Sequence, residues 1–145
     1  MRRRLSAGFA SVDRRAARHL SLRVIIGEGT KLDPLQPVVA EVVAEILSEG
    51  ALVAPLEVLL RLEVIEPAQV EAWRAGGMPY LERGITVGLS RVSRLLRLVR
   101  EHCLSLGLTG VPVKYKRKGK KQALRFSKRG DTDSEQAYCT HYVRA

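Results

Sequence analysis

The chain contains little cysteine and few aromatic residues. Two cysteines, one tryptophan and two phenylalanines occur among 145 residues, and phenylalanine, tyrosine and tryptophan together make up 5%. Cys103 and Cys139 are too few for a disulfide framework, so we expect a reducing compartment, the cytoplasm. Because hydrophobic residues still make up 46% of the chain, the core must consist mainly of leucine, valine and alanine, which helices bury readily.

Long apolar runs are also missing. No stretch approaches the roughly 18 consecutive apolar residues that a transmembrane helix requires, and the N-terminal segment lacks the apolar centre of a secretory signal peptide. We therefore expect no membrane partner. A length of 145 residues suits a single domain that buries its own core.

The sequence lacks the common catalytic and metal-binding motifs. It contains no GxxxxGKS, GxxxxGKT, GxGxxG, GxSxG or HExxH pattern, so nucleotide-fold and common hydrolase chemistries have no support. His102 with Cys103, and Cys139 with His141, do not have the CxxC or HxxxH spacing of a metal site. We expect no metal and no cofactor.

The net charge of +10 is unevenly distributed along the chain. Residues 1–24 carry seven basic residues and one acid, residues 25–80 carry three and nine, and residues 81–145 carry fifteen and five. The three segments therefore have balances of +6, −6 and +10. An acidic middle between two basic ends favours a polyanion-binding surface over charge that serves only solubility.

Residues 1–24 are rich in arginine, serine and alanine. This composition predicts a flexible basic arm that precedes a single domain at 25–145. A mitochondrial or plastid transit peptide has a similar composition. Because arginine and alanine are frequent throughout the chain, as in proteins from GC-rich bacterial genomes, we favour the bacterial arm.

The first strong helical pattern is "DPLQPVVAEVVAEILSEG", in which apolar residues recur at helical spacing. Asp33 is the predicted N-cap, Pro34 the predicted first helical residue and Gly50 the predicted exit. A second face carries Glu41, Glu45 and Glu49. We interpret this face as a solvated acidic stripe, with contact to a basic partner as the alternative.

Two shorter helices and one long helix complete a helical region that extends to residue 107. The shorter ones are "APLEVLLRLEVI" and "EPAQVEAWRAGG", and the long one is "GLSRVSRLLRLVREHCLSLGL". In the long helix, leucine and valine follow one side, whereas Arg91, Arg94 and Arg97 follow the other. The pattern therefore predicts an amphipathic helix with a cationic outer face.

The segment "VPVKYKRKGKKQALRFSK", residues 111–128, holds six of the seven lysines of the chain. Apolar and basic residues alternate on both sides of Gly119, which predicts a basic β-hairpin. Tyr115 and Phe126 fall on the apolar side, so we interpret them as core residues first and as base-stacking platforms second. One or two lysines would protect a sheet edge from aggregation, but this number exceeds that need.

The last segment, 132–143, has features of both a helix and a strand. Thr132 and Glu135 match a capping box for a terminal helix. However, "AYCTHYV" is rich in strand-favouring residues, so a third strand stays open.

Together these patterns predict an α+β fold, a mainly helical domain of four to five helices with a C-terminal basic β-hairpin. A long helix followed by a basic hairpin also resembles the outline of a winged helix, with "VGLSRVSRLLR" in the place of the recognition helix. The register departs from that motif, because Val92, Ser93 and Arg94 follow the glycine too closely. A winged-helix arrangement is therefore one option within this class.

The predicted function is non-enzymatic binding of nucleic acid, because several clustered cations can neutralise phosphates together. The sequence does not distinguish DNA from RNA. The predicted contact residues are Arg91, Arg94, Arg97, Lys114, Lys116, Arg117, Lys118, Lys120, Lys121, Arg125, Lys128 and Arg129.

Two other functions fit the same residues. The acidic and basic surfaces also suit a protein-interaction module, including a homo-oligomer or a larger assembly. A small metal-free nuclease would need an acid–base pair such as His141 with Tyr138 or Glu135, placed among cations. Its candidate residues are Arg125, Lys128, Arg129, Asp131, Glu135, Tyr138, His141 and Tyr142.

Overall fold

The computed structural model describes residues 33–144, and the predicted arm at 1–24 lies outside them. This part of the chain contains five α-helices, one 3₁₀ helix and three short strands, which confirms the predicted α+β, mainly helical class. The helices are α1 (Gln36–Glu49), α2 (Pro55–Arg61), α3 (Pro67–Arg74), α4 (Leu89–Ser105) and α5 (Thr132–Cys139), with the 3₁₀ helix Leu81–Gly84 between α3 and α4. The strands are β1 (Leu52–Val53), β2 (Thr109–Pro112) and β3 (Thr140–Val143).

Helix α1 begins later than predicted and ends as predicted. Leu35 is its N-cap residue and Gly50 its C-cap residue. Asp33 does not cap the helix; instead its Oδ1 accepts a hydrogen bond from the Leu35 amide at 2.9 Å, within the turn that precedes α1. Pro37 occupies the first turn, where a missing amide proton costs nothing. Pro34 therefore lies outside the helix.

Helix α4 packs its apolar side against α1 and the sheet. Its buried residues are Val92, Leu95, Leu96, Leu98, Val99 and Cys103. After the helix ends, Gly107 has a φ of +84°, the left-handed conformation in which glycine is favoured after a helix. The Leu108 amide then donates to the carbonyl of Cys103 at 3.1 Å, which turns the chain toward β2.

The three strands form one antiparallel sheet in the order β1-β3-β2. Central strand β3 pairs with both neighbours, with Val143 opposite Leu52 on one side and opposite Thr109 on the other. Since successive strand residues point to opposite faces, Val53 and Tyr142 are buried on the core face. Leu52 and Val111 remain 43% and 41% exposed on the other face.

The predicted hairpin over 111–128 has a different pairing in the structure. Val111 and Pro112 belong to β2, which pairs with β3 and not with residues 124–128. The hairpin is reduced to one bridge between Lys116 and Ala123, because β3 offers β2 a longer partner that also buries Tyr142. The winged-helix option is not confirmed.

Residues 113–124, called here the lysine loop, keep the predicted alternation of exposure. Val113 and Tyr115 are half-buried, whereas Lys114, Lys116 and Lys118 are exposed. Arg117, predicted as an exposed contact, is half-buried as well. The Leu124 amide donates to the Tyr115 carbonyl and the Arg117 amide to the Gln122 carbonyl, both at 2.8 Å. These hydrogen bonds close the loop at its base.

The last segment forms both of the alternatives that the sequence left open: helix α5 continues directly into strand β3. The N-cap of α5 is Asp131, not Thr132, because the Asp131 Oδ2 accepts from the Ser134 amide at 3.2 Å. Glu135 does not complete the predicted capping box; it contacts residues 126 and 127 instead.

An aromatic cluster joins α3, the lysine loop and α5. Trp73 is fully buried, and its ring centroid lies 4.9 Å from Phe126 and 5.8 Å from Tyr115. Phe126 in turn stacks on Tyr138 at 5.3 Å. The Trp73 indole Nε1 donates to the Arg125 carbonyl at 2.8 Å, so the tryptophan fixes the chain just after the lysine loop.

Candidate nucleic-acid interface

Five lysines of the lysine loop are exposed at its surface: Lys114, Lys116, Lys118, Lys120 and Lys121. Within residues 33–144, none of these lysines forms a salt bridge. Their charges are therefore not neutralised by the described part of the protein. Lys128 is also exposed.

The lysine loop is attached to the C-terminal end of α3. The Lys118 amide donates to the Arg74 carbonyl at 2.8 Å, and the Arg117 Nε donates to the Ala75 carbonyl at 3.2 Å. Gly76, with a φ of +85°, leaves room for the Arg117 guanidinium, which a Cβ at residue 76 would overlap. Arg117, a predicted phosphate contact, is thus used to hold the loop.

The three arginines of α4 have three different environments. Arg94 forms a bidentate ion pair with Asp33, with Nη2–Oδ1 at 2.7 Å and Nε–Oδ2 at 3.2 Å. The side-chain hydrogen bond from Arg94 lowers the pKa of Asp33. Arg97 lies 3.8 Å from Glu101 and stays 58% exposed. Arg91 is exposed and has no salt bridge within residues 33–144.

Arg125 and Arg129, after the lysine loop, also differ from each other. The Arg125 guanidinium donates to the backbone carbonyl of Ser127 at 2.8 Å and to that of Lys128, so it closes a turn. Arg129 is 85% exposed and lies 3.7 Å from Asp131. Both side chains are exposed, but the Arg125 guanidinium is held by backbone carbonyls, whereas Arg129 lies near a carboxylate.

The structure does not bring the lysine loop and the arginine face of α4 together. Strand β3 separates them, because His141 and Tyr142 are consecutive and point to opposite faces. His141 lines a cavity of about 580 Å³ with Lys116 and Lys118. Tyr142 lines a different cavity, of about 320 Å³, with Arg97 and Arg100. The predicted contacts therefore form two basic surfaces, one on each side of β3.

The larger cavity, called here the loop cleft, contains a tyrosine–histidine pair that the sequence did not reveal. The Tyr115 hydroxyl and the His141 Nε2 are 2.7 Å apart, and the Arg74 Cζ lies 5.5 Å from the centre of the Tyr115 ring. Burial raises the pKa of Tyr115 and lowers that of His141. Both changes favour the uncharged forms, so this side of the cleft is a neutral hydrogen-bonded wall.

The C-terminal cluster is not assembled as an acid–base centre. The Glu135 carboxylate accepts hydrogen bonds from the Phe126 amide at 2.9 Å and from the amide and hydroxyl of Ser127, both at 2.7 Å. The Tyr138 hydroxyl donates to Glu82 at 2.8 Å. His141 pairs with Tyr115 instead of either predicted partner. Glu135 thus holds the backbone of residues 126 and 127, and Tyr138 holds Glu82, whose other carboxylate oxygen accepts from the Lys128 amide at 3.0 Å.

The acidic stripe on α1 is partly used inside the protein. Arg61 of α2 donates to both carboxylate oxygens of Glu49, at 2.6 and 3.2 Å, and to Glu57 at 2.9 Å. Arg61 also lies 4.0 Å from Glu45. The stripe therefore joins α1 to α2, in addition to any role toward a partner.

Within the described residues, no cluster of three or more histidine, cysteine, aspartate or glutamate side chains has the arrangement of a metal site. None of the described helices combines the length and the hydrophobicity that crossing a membrane requires. No protein-family model, curated protein or solved structure matches the chain.

Proposed function

We propose that this protein binds nucleic acid without catalysis, with the lysine loop as the main contact surface. One observation carries the proposal. Five lysines between residues 114 and 121 are exposed and lack a carboxylate partner within residues 33–144, while Arg117 and Arg125 in and beside the same loop donate to backbone carbonyls. This loop carries five exposed, unpaired lysines within eight residues of sequence.

Such a loop is suited to phosphates for two physical reasons. Each lysine that meets a phosphate releases a condensed counterion, so affinity grows with the number of unpaired cations that act together. In addition, the loop is closed at its base by the Lys116–Ala123 bridge and attached to α3 through Lys118. Fewer backbone conformations are lost on binding when the cations are already held close together.

The exposed arginines on the other side of β3 would form a second contact surface. Arg91, Arg97 and Arg100 belong to this surface, whereas the charge of Arg94 is balanced by Asp33. A strand or duplex that passes around the domain would reach both surfaces. The predicted basic arm at 1–24 would add further phosphate contacts.

The test is a fluorescence anisotropy titration of the full chain with labelled duplex DNA, single-stranded RNA and structured RNA, at 50 and 200 mM salt. If six or so phosphates are contacted, affinity is expected to fall by ~10³-fold or more between the two salt concentrations. Replacing Lys116, Lys118, Lys120 and Lys121 with alanine is expected to weaken binding and lower the salt dependence while the melting temperature stays unchanged.

Two results would contradict the proposal. The first is no binding at 50 mM salt, which would direct the search to an acidic protein partner. The second is equal affinity of the four-lysine variant and the parent. Gel analysis of the RNA recovered from the titration separates binding from cleavage, because shortened RNA would support the nuclease alternative and would require a repeat with His141→Ala.

A further inference from the structure

The loop cleft combines an apolar floor with a cationic wall. The apolar floor consists of Leu56 and Leu60 from α2 and Val70 from α3. Arg74 at the end of α3, together with Lys116 and Lys118 of the lysine loop, supplies three cations. A volume of about 580 Å³ lies within the range of roughly 300–1,000 Å³ that small-molecule sites in proteins have.

The two acids that line the cleft restrict the class of ligand. Glu57 is held by Arg61 at 2.9 Å, so its charge is balanced from outside the cleft. Glu71 is exposed on α3 and has no salt bridge within the described residues. A bare inorganic anion gains nothing from this carboxylate. A ligand that carries a phosphate, an apolar ring and amino hydrogen-bond donors matches all parts of the lining.

We infer that the loop cleft holds one nucleotide of a bound single strand, with its phosphate against Arg74, Lys116 and Lys118 and its base over the apolar floor. This inference rests on the proposed function and names the form of nucleic acid that the lysine loop recognises. Bases in a duplex are stacked and paired, so only an unpaired nucleotide can enter a concave cleft. Glu71 accepts from the amino group of adenine, cytosine or guanine, as carboxylates do with base amino groups.

A matched pair of variants tests this inference in the full chain. Lys116→Gln with Lys118→Gln removes two lysines that line the cleft, whereas Lys120→Gln with Lys121→Gln removes two exposed lysines of the same loop outside its lining. Both variants lose the same charge. Anisotropy titrations with single-stranded RNA and with duplex at 100 mM salt compare them, and circular dichroism confirms that both are folded.

We expect the variant with Lys116→Gln and Lys118→Gln, the cleft variant, to bind the single strand about tenfold more weakly than the variant with Lys120→Gln and Lys121→Gln, the tip variant. The reason is that one charge-assisted hydrogen bond contributes on the order of a tenfold step in affinity. For duplex, the two variants are expected to bind equally. Equal losses on the single strand would overturn the cleft assignment while leaving the proposed function intact. No loss in either variant would overturn the proposed function itself.

A second measurement uses ¹H–¹⁵N spectra of the parent titrated with adenosine 5′-monophosphate and, separately, with inorganic phosphate. The nucleotide is expected to shift Tyr115, Lys116 and His141 together with Leu60 and Glu71 in α2 and α3, and inorganic phosphate is expected to leave Leu60 and Glu71 unchanged. Shifts confined to Lys120 and Lys121 would overturn the cleft assignment. Loss of the shifts that adenosine monophosphate induces in the parent when Glu71 is changed to alanine, Glu71→Ala, would support the proposed contact to the base, because alanine has no acceptor for the amino group.

Discussion

Arg61, Arg94 and Arg125 each use the planar guanidinium to join two groups of the protein. Arg61 contacts Glu49 and Glu57, Arg94 contacts both oxygens of Asp33, and Arg125 contacts two backbone carbonyls. A fork of fixed donors suits such bidentate contacts, whereas the lysine ammonium is a flexible point charge. The difference explains why these three arginines have structural partners, whereas the loop lysines form no salt bridge within residues 33–144.

The ion pair between Arg94 and Asp33 gives the protein an acid-dependent contribution to stability. The hydrogen bond from Arg94 lowers the pKa of Asp33 below its usual 3.8. A carboxylate with a lowered pKa stabilises the fold above its unfolded pKa, and this contribution is lost as the pH falls through the folded pKa. We therefore expect Arg94→Ala to be less stable than the parent at pH 7. Between pH 4 and 2, its free energy of unfolding is expected to fall less than that of the parent.

Urea unfolding from pH 7 to pH 2 measures this difference, with Arg91→Ala as the control. Arg91 lies on the same helix and forms no ion pair within residues 33–144, so its variant is expected to follow the parent at every pH. Parallel curves for the parent and Arg94→Ala would show that the ion pair contributes nothing.

Glu135 provides a second prediction for a single residue. Its carboxylate accepts three hydrogen bonds from Phe126 and Ser127, and the amide of Gln would place donors against donors. Hydrogen bonds to charged groups contribute about 1.5–3 kcal/mol each, so we expect Glu135→Gln to lower the free energy of unfolding by about 2 kcal/mol. Asp133→Asn, an exposed substitution on the same helix, is expected to change it by less than about 0.5 kcal/mol. Similar values for the two variants in urea unfolding would contradict the role assigned to Glu135.

Among the secondary-structure elements, the contact between α3 and the lysine loop positions the candidate interface. Helix α3 ends at Arg74, and its last carbonyls accept from Lys118 and Arg117. A helix that ends toward solvent would normally satisfy these carbonyls with water. Here the loop supplies the donors, so the end of α3 fixes the loop and the loop caps the helix.

The glycine after α3 allows a test of this arrangement. Gly76 and Gly107 have φ values of +85° and +84°, so alanine is strained at both positions, by about 1–2 kcal/mol. Only at Gly76 would the added Cβ meet the Arg117 guanidinium; at Gly107 nothing lies within 4 Å. We expect Gly76→Ala to be the more destabilising of the two and to speed amide hydrogen exchange at Lys118. Unchanged exchange at Lys118 would mean that Arg117 does not hold the loop.

For the whole molecule, Trp73 links elements that are distant in sequence. It lies in α3, donates to the Arg125 carbonyl and contacts Phe126 and Tyr115. The Arg125 carbonyl also accepts from the Leu81 amide at 3.1 Å, so the tryptophan, the chain after the lysine loop and the 3₁₀ helix meet at one point. Stability and the position of the lysine loop therefore depend on the same side chain.

Trp73→Phe removes the indole hydrogen bond and part of the buried volume. We expect the free energy of unfolding to fall by about 2–3 kcal/mol. This cost lies between that of losing one hydrogen bond and that of truncating a buried tryptophan to alanine. Leu104→Ala is a suitable control because Leu104 is 42% exposed, and its cost is expected to stay below about 1 kcal/mol. Urea unfolding followed by circular dichroism measures both. A cost for Trp73→Phe as small as that of the control would refute the central role of Trp73.

The two basic surfaces lie on opposite sides of β3. Helix α4 and the lysine loop are neighbours in sequence, but α5 and β3 come between them in space. A polyanion that uses both surfaces must extend around the domain. The number of phosphates neutralised, read from the salt dependence, would then exceed what the lysine loop alone provides.

The elements whose pattern repeats locally were predictable from the amino-acid order alone. The apolar spacing in α1 and α4 corresponds to buried faces, Gly50 and Gly107 lie at the helix exits, and half-buried Val113 and Tyr115 alternate with exposed lysines. Such patterns are readable because the 3.6-residue and two-residue periods fix which side chains share a face. The charge segregation is likewise a property of the chain alone.

Which distant partners meet depends on the folded chain as a whole. The fold pairs β2 with β3, which residues 113–139 separate in sequence, instead of forming a hairpin within 111–128. It also places His141 against Tyr115 and gives Arg94, Arg117 and Arg125 internal acceptors. These choices depend on competition between partners far apart in sequence, where burial and hydrogen bonding must exceed the entropy of loop closure. No local period encodes that competition, so the number and spacing of the cations follow from the chain alone, whereas the fold determines which of them have partners within residues 33–144.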